Sequence, residues 1–222
     1  RPCEERHILI DKDGAQYHFG IDYLRDVWYK TSYLLDCKQS FNGKAKERYE
    51  NFRQQPLEWN FLPSFKGKLS QYGLNPDRRE KSGVRAAIIR EKGTNGEREM
   101  AYMLYLAGFD VKDVMMTDLI TGRETLDEVN FIVFCGGFSN SDVLGSAKGW
   151  AGAFLYNDKA KEALDRFYAR PDTLSLGVCN GCQLMVELGL VGKVADNNCG
   201  KAKMLHNDSH KFESNFVGVT VQ

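Results

Sequence analysis

The chain has 222 residues, and its 30 Lys and Arg balance 30 Asp and Glu, so the formal net charge is zero. This balance gives no bulk field that would attract nucleic acid or an anionic membrane, and no apolar run approaches the length of a membrane span. The six cysteines are irregularly spaced, which is typical of reduced thiols rather than of a disulfide framework. We therefore expect a cytoplasmic globular protein with neither nucleic acid nor membrane among its partners.

The first 80 residues predict a small α+β segment and a linker. The turn signal Asp13-Gly14 predicts a hairpin, and three- and four-residue spacing over residues 21–36 predicts a helix whose Trp and Tyr stripe is a packing face. Residues 42–55 predict a second, solvated helix. Prolines and glycines between residues 56 and 76 favour an extended linker. We expect its aromatic residues to dock on a partner surface; they are Trp59, Phe61 and Phe65.

From Gly83 onward, strand and helix patterns alternate. Short apolar runs predict strands over residues 84–89, 109–114, 131–134 and 174–178. Helical patterns cover residues 97–107, 157–168 and 181–188. Residues 212–221 predict further strands. The alternation indicates an α/β fold, a flavodoxin-like and mostly parallel sheet with helices on both faces, and it divides the chain into residues 1–80 and 81–222.

One stretch passes from an apolar strand through Gly177-Val178-Cys179-Asn180-Gly181 into a helix. A residue at a sharp strand-to-helix turn is lifted out of the sheet toward a cleft, and flanking glycines are needed because a Cβ there would clash. The positive end of the following helix would favour the thiolate form of the cysteine. We therefore predict that Cys179 is a nucleophile and that Gly177 and Gly181 form its elbow.

A thiolate that attacks a carbonyl needs backbone N–H groups to stabilise the developing oxyanion. The N–H of Asn180 is one candidate, and the N–H of Gly137 or Phe138 is a second. Both glycine-containing loops and the Thr94-Asn95 loop follow predicted strands. We expect them to meet at one edge, because active sites of such sheets lie beyond the carboxyl ends of the strands.

Other interpretations of the same residues remain open. Cys179 and Cys182 form a C-x-x-C pair, as in redox proteins, and a four-ligand zinc set can be composed of Cys179, Cys182, Cys199 and His206. The elbow pattern favours neither, so no metal is predicted. His206 and His210 are interpreted as exposed loop residues. The loop at residues 93–96 lacks both phosphate-binding spacings, and no nucleotide site is predicted.

Two further function classes remain open on these residues. The first is a non-enzymatic interaction module of the same fold. The second is an elbow-cysteine hydrolase or chaperone, which would place an acid such as Glu99 or Asp118 beside the thiol.

Residues 93–99, 136–150 and 177–183 resemble the class I glutamine amidotransferase domain of the phosphoribosylformylglycinamidine synthase family, in its large single-chain form. Residues 28–33 resemble the tail of the synthetase region of that family. The resemblance covers nearly the whole chain. Asn95 and Glu99 match motif positions to which we assign no role.

The resemblance implies a glutaminase that forms a glutamyl thioester on Cys179, with Gly137, Phe138 and Asn180 around the oxyanion. It implies that ammonia passes to an upstream synthetase region, a C–N ligase of purine biosynthesis that uses ATP and Mg to amidate formylglycinamide ribonucleotide. Glutamine and that region are the expected partners, and no cofactor is expected in this fragment. The family's catalytic His and Glu come later in the domain, so we expect both to be absent from a C-terminally truncated, inactive fragment.

Overall fold

The computed structural model of the chain describes residues 5–54, 60–191, 202–214 and 217. The chain divides into two compact units, one formed by Arg1–Leu62 with Leu205–Gln222 and the other by Pro63–Met204. The predicted domain division after residue 80 stays a prediction. Across the described ranges, no helix is both long and apolar enough to cross a bilayer.

The first unit opens with the predicted hairpin. Strands β1 (His7–Lys12) and β2 (Ala15–Gly20) pair antiparallel, with Lys12 opposite Ala15. The two turn residues between them, Asp13 and Gly14, have φ of 52° and 80°. A two-residue hairpin turn needs such positive φ angles, and Gly and Asp adopt them most readily. The predicted hairpin is therefore confirmed.

Two helices follow the hairpin, α1 (Ile21–Gln39) and α2 (Lys44–Glu50), and α2 continues into a 3-10 turn at Asn51–Arg53. In the predicted aromatic stripe of α1, one residue packs against α2 and another is exposed to solvent. Tyr29 stacks on Tyr49 of α2 with ring centroids 6.1 Å apart, whereas Trp28 is 80% exposed. The predicted packing face is correct for the tyrosine and wrong for the tryptophan.

Asp36 near the end of α1 is only 3% exposed. Burial opposes its ionisation, but hydrogen bonds from Lys211, Ser40 and Arg48 outweigh that effect and hold its pKa at about 2. Arg48 also pairs with Glu213 at 2.5 Å. We call these five residues the Asp36 hub. It fastens the late segment around Lys211 to the helices at the start of the chain.

The strands predicted over residues 212–221 are not found in the part that the structure describes. Residues 212–214 and 217 lie outside any strand, and the others fall outside the described residues. Trp59 of the predicted linker also lies outside them. Phe61 is 65% exposed and Phe65 is 41% exposed.

The second unit alternates strands and helices, as the sequence predicts, and it also contains short elements that the sequence does not predict. Its strands are β3 (Arg85–Arg90), β4 (Thr94–Asn95), β5 (Asp110–Met115), β6 (Phe131–Phe134), β7 (Gly136–Gly137) and β8 (Leu174–Gly177). Its helices are α3 (Glu97–Leu106), α4 (Met116–Thr121), α5 (Lys148–Leu155), α6 (Asp158–Ala169) and α7 (Asn180–Glu187). A 3-10 turn lies at Leu69–Tyr72 and another at Ser139–Asp142.

Four of these strands form a parallel sheet in the order β5-β3-β6-β8. Counted along the chain within this sheet, the order is 2-1-3-4, which is the flavodoxin-like arrangement. The short strands β4 and β7 pair with each other in a separate antiparallel ladder. The predicted α/β class with a parallel sheet is confirmed.

Apolar residues of the two central strands, β3 and β6, are buried on both faces of the sheet, because successive side chains of a strand point to opposite faces. On one face, Ile89 and Phe134 pack with residues of α4, α5, α6 and α7. On the other face, Ile88 and Val133 pack with Leu104 of α3. The faces alternate residue by residue along β3 and β6, so helices pack on both sides of these central strands.

Candidate functional site

Cys179 lies between strand β8 and helix α7 with φ of 51° and ψ of −108°. A non-glycine residue at such angles is strained, and strain of this kind is found where a functional side chain is held out of a turn. The thiol is free and exposed. Asn180 is the first residue of α7, so its N–H has no acceptor within the helix.

Close packing explains the two glycines that flank this cysteine. A Cβ on Gly181 would lie 2.0 Å from the carbonyl oxygen of Phe134, and a Cβ on Gly177 would lie 2.6 Å from the carbonyl oxygen of Gly181. Neither position has room for a side chain. We call residues 177–181 the cysteine elbow.

The loop after β6, residues 136–142, lies directly against the elbow, and we call it the glycine loop. A Cβ on Gly136 would lie 3.3 Å from the Cβ of Cys179. The loop after β3 is bound to it in turn, because Thr94 pairs with Gly137 and Asn95 with Gly136. The expectation that the three loops meet at one edge of the sheet is confirmed.

The amide of Asn180 joins the elbow to the glycine loop. Its Oδ1 accepts the backbone N–H of Ser139 at 3.0 Å. Its Nδ2 donates to the Asp142 carboxylate at 3.1 and 3.2 Å and to Oε1 of Gln183 at 2.9 Å. Asn180 is 1% exposed. The local sequence pattern predicts a role for the N–H of Asn180 but none for its side chain, since no local pattern connects positions 142 and 180.

The predicted N–H donors differ in what they contact. Gly137 has φ of 108°, and a Cβ there would lie 2.7 Å from the carbonyl oxygen of Gly93. The N–H of Phe138 donates to that same carbonyl oxygen at 2.9 Å. Phe138 therefore offers no free N–H in this conformation, and Gly137 and Asn180 stay the predicted donors.

The other sulfur and imidazole groups do not join this arrangement in the described ranges. Cys182 is a free, exposed thiol one turn into α7, and Cys199 lies outside the described residues. His206 and His210 belong to the first unit, where His210 packs against Phe41 with ring centroids 4.8 Å apart. Among the described residues, no group of three or more His, Cys, Asp or Glu could hold a metal ion.

The acids considered for a hydrolase or chaperone have other surroundings. Asp118 accepts the N–H of Met115 at 2.9 Å and pairs with Arg123, so it caps α4. Glu99 is exposed in the first turn of α3. The side chain of Asn95 accepts the N–H of Gly96 at 2.8 Å. Over the described part of the chain, no carboxylate is hydrogen-bonded to the Cys179 thiol.

An open cavity of about 380 Å³ adjoins the glycine loop. Its lining residues are Glu91, Ser139, Asn140, Asp142, Val143, Leu144, Gly149 and Ala153. Cys179 is not one of them. The cavity is therefore a neighbour of the glycine loop rather than the space in front of the thiol.

The family model of the CobB/CobQ-like glutamine amidotransferase domain matches residues 83–222. Two curated relatives are a human phosphoribosylformylglycinamidine synthase, 43% identical over 89% of this chain, and one from Dictyostelium discoideum, 36% identical over 98%. An Arabidopsis thaliana protein named "Probable phosphoribosylformylglycinamidine synthase, chloroplastic/mitochondrial" is 41% identical over 90% of this chain. The matches cover 15%, 16% and 14% of these three relatives in that order, so the chain spans a small part of their length.

One solved structure with a match is titled "Structure of PurLQS from Thermotoga maritima". It is 26% identical, covers 50% of this chain and 46% of its own, and superposes with a TM-score of 0.40.

Proposed function

Because this chain belongs to the CobB/CobQ-like glutamine amidotransferase family, we propose that it releases ammonia from glutamine through a thioester on Cys179. The observation that supports this most is the strained backbone of Cys179, which presents an exposed thiol beside the glycine loop. A nucleophile held at such a turn meets its substrate without rearranging.

The proposed chemistry has two halves. The Cys179 thiolate forms an S–C bond to the side-chain amide carbon of glutamine, and the carbonyl electron pair moves onto oxygen. The N–H groups of Asn180 and Gly137 stabilise that oxyanion, an interaction worth about 3–4 kcal/mol per donor in the transition state. The C–N bond then breaks, and nitrogen leaves as ammonia after taking a proton. Water cleaves the remaining thioester to glutamate and regenerates the thiol.

A base must carry the protons in both halves. Within the described residues, no histidine is hydrogen-bonded to Cys179. We therefore expect the chain by itself to be a slow glutaminase, because both halves of the reaction lack an assigned base.

We further propose that the chain acts within a longer protein. Its relatives are named phosphoribosylformylglycinamidine synthase, and the chain matches about one seventh of their length. In that protein the ammonia would serve the ATP-dependent amidation of formylglycinamide ribonucleotide in purine biosynthesis, making the whole a ligase. ATP and Mg would bind in the synthetase region, the partner of this chain.

The test is labelling by the diazoketone analogue of L-glutamine, followed by peptide mass spectrometry. We expect adduct on Cys179 in preference to Cys182 and Cys199, and protection by excess L-glutamine. The D-enantiomer of the same reagent is the matched control, since it has the same reactivity and the wrong shape.

One outcome would contradict the nucleophile assignment, and another would contradict only the expected slow turnover. Equal labelling of the three cysteines under native conditions would remove the nucleophile assignment and favour a non-enzymatic module. Brisk glutaminase turnover that is abolished by His206→Ala would show that this histidine is the base.

A further inference from the structure

The side chain of Asn180 is a buried connection between the two halves of the proposed site. Asn180 follows the nucleophile Cys179 directly, and Ser139 follows Phe138 at the end of the glycine stretch. Ser139 is 1% exposed, like Asn180, and its N–H reaches Oδ1 of that amide. We call Asn180, Ser139 and Asp142 the Asn180 clasp.

The glycine loop needs such a connection because its backbone is strained. Asn140, Ser141 and Asp142 have φ of 51°, 55° and 47°, and none of the three is glycine. Side chains disfavour left-handed backbone, and three such residues in a row do not hold this shape by local preference. Contacts from outside the turn must therefore fix it.

Those contacts come from two directions. The backbone N–H of Asn140 donates to the carbonyl oxygen of Lys92 at 2.7 Å. The Asp142 carboxylate accepts the N–H of Ala147 at 3.2 Å and both hydrogen bonds from Asn180. Asn180 is therefore the side chain that ties the strained turn to the cysteine elbow.

Asparagine suits this position because it accepts and donates at once. It takes the Ser139 N–H on its oxygen and gives its NH₂ hydrogens to the Asp142 carboxylate and to Gln183. Aspartate has the same shape but cannot donate, and it would set a second negative charge against Asp142. Two carboxylates at that separation repel each other.

We propose that Asn180 and Asp142 are positioning residues, whose paired side chains hold the glycine loop at the distance from Cys179 that oxyanion stabilisation needs. This inference rests on the proposed glutaminase function. Donors aimed at an oxyanion act only when they lie at hydrogen-bond distance from it, so a small displacement of the loop is costly.

The test compares a reaction that needs only the Cys179 thiol with one that also needs the glycine loop. Iodoacetamide alkylates Cys179 by displacement of iodide, a reaction in which no oxyanion forms. The γ-aldehyde analogue of glutamine instead adds the Cys179 sulfur to its carbonyl carbon and forms a thiohemiacetal, whose oxygen needs the loop. Its binding is measured by the protection of Cys179 against iodoacetamide.

The variants form a cycle on the 222-residue chain: Asn180→Asp, Asp142→Asn and the double exchange. Asn180→Asp should weaken aldehyde protection about tenfold or more, expressed relative to that variant's own alkylation rate without aldehyde, because the added carboxylate also disfavours the Cys179 thiolate. Asp142→Asn should stay within about threefold of the parent chain, because its amide oxygen can still accept from Asn180. The double exchange should recover protection, since the carboxylate then at position 180 accepts both from the amide at position 142 and from the N–H of Ser139.

Asn157→Asp is the matched control. Asn157 caps α6 through the N–H of Ala160, and aspartate caps equally well, so neither readout should change. Circular dichroism monitors folding of each variant. If Asn180→Asp does not fold, the double exchange and Asp142→Asn still report on the pair.

The possible results discriminate between the two proposals. Equal aldehyde protection in all variants, or a double exchange no better than Asn180→Asp, would overturn the positioning role. A parent chain that the aldehyde does not protect would instead contradict the proposed glutaminase function.

Discussion

At the scale of single residues, the cysteine elbow depends on the absence of a side chain at the two glycines that flank Cys179. Gly181 has the carbonyl oxygen of Phe134 where a Cβ would stand, and that oxygen belongs to a buried strand that cannot move aside. Position 181 therefore requires glycine for steric reasons alone, independently of the chemistry at Cys179.

The variant Gly181→Ala should reduce the free energy of unfolding by about 3 kcal/mol or more, because overpacking against backbone forces the helix off the strand. A urea titration followed by circular dichroism measures the loss. Gly152→Ala is the control, since a Cβ there meets only the Tyr156 ring at 3.7 Å within α5. That change should be neutral or stabilising by about 1 kcal/mol. Equal stability of the two variants would show that the elbow can adjust to a side chain.

The sequence alone was sufficient to predict the cysteine elbow, but it was insufficient to predict the Asn180 clasp. Glycines on both sides of Cys179, between an apolar strand and a helix, form a local pattern that determines the turn. The hydrogen bond from Asn180 to Asp142 crosses 38 residues, and both residue types are common in loops. The hydrogen bond from the Phe138 N–H to the carbonyl oxygen of Gly93 was also not predictable, since it depends on the pairing of two loops.

At the scale of elements, the parallel sheet was predictable because its central strands β3 and β6 are buried and rich in apolar residues, while helix α5 was not predicted. Its sequence contains Gly149 and Gly152, which lower helix propensity, and the helix forms because Trp150 and Phe154 are buried against the sheet. The prediction of strands over residues 212–221 is wrong for the described residues, 212–214 and 217. Alternating apolar residues form a strand only beside a partner strand, and the sequence pattern does not provide one.

The start of strand β5 carries a contact that controls the segment before the sheet. Asp110 accepts the N–H groups of Ser82 and Gly83 and pairs with Arg78 at 3.0 Å. These hydrogen bonds, with that from Ser82 first, hold the pKa of Asp110 at about 2. The carboxylate thus fastens an otherwise irregular stretch of chain to a strand end.

Asp110→Asn should release that stretch and speed tryptic cleavage after Arg79 and Lys81 severalfold, since proteolysis follows local opening. Mass spectrometry of timed digests measures both sites. Asp113→Asn on the same strand is the control, because Asp113 pairs with Arg90 instead. Unchanged cleavage in Asp110→Asn would mean that the backbone alone holds the segment.

At the scale of the whole molecule, the Asp36 hub joins parts of the first unit that lie 175 residues apart in sequence. The pKa of an aspartate in an unfolded chain is about 3.9, above the value of about 2 that Asp36 has in the fold. A group with a depressed pKa stabilises the fold above its unfolded pKa. The contribution of Asp36 is therefore complete above about pH 5 and is lost as the pH falls toward 2.

Asp36→Asn should lower the free energy of unfolding by about 2 kcal/mol at pH 7, and the difference from the parent chain should shrink between pH 5 and pH 3. Urea titrations at several pH values measure it. Asp26→Asn is the control, because Asp26 lies on the same helix with its side chain 43% exposed, and pairs near the surface contribute little. A difference that does not depend on pH would show that the charge of Asp36 is not the stabilising element.

The hub also sets an order of events during synthesis. Lys211 and Glu213 leave the ribosome only after all of Pro63–Met204 has been made, which takes roughly 10–30 s at ordinary elongation rates. For that interval the buried carboxylate of Asp36 has Arg48 and Ser40 but lacks Lys211. The unit whose residues are translated first is therefore completed last. The sheet that carries Cys179 can fold before Lys211 has completed the Asp36 hub of the first unit.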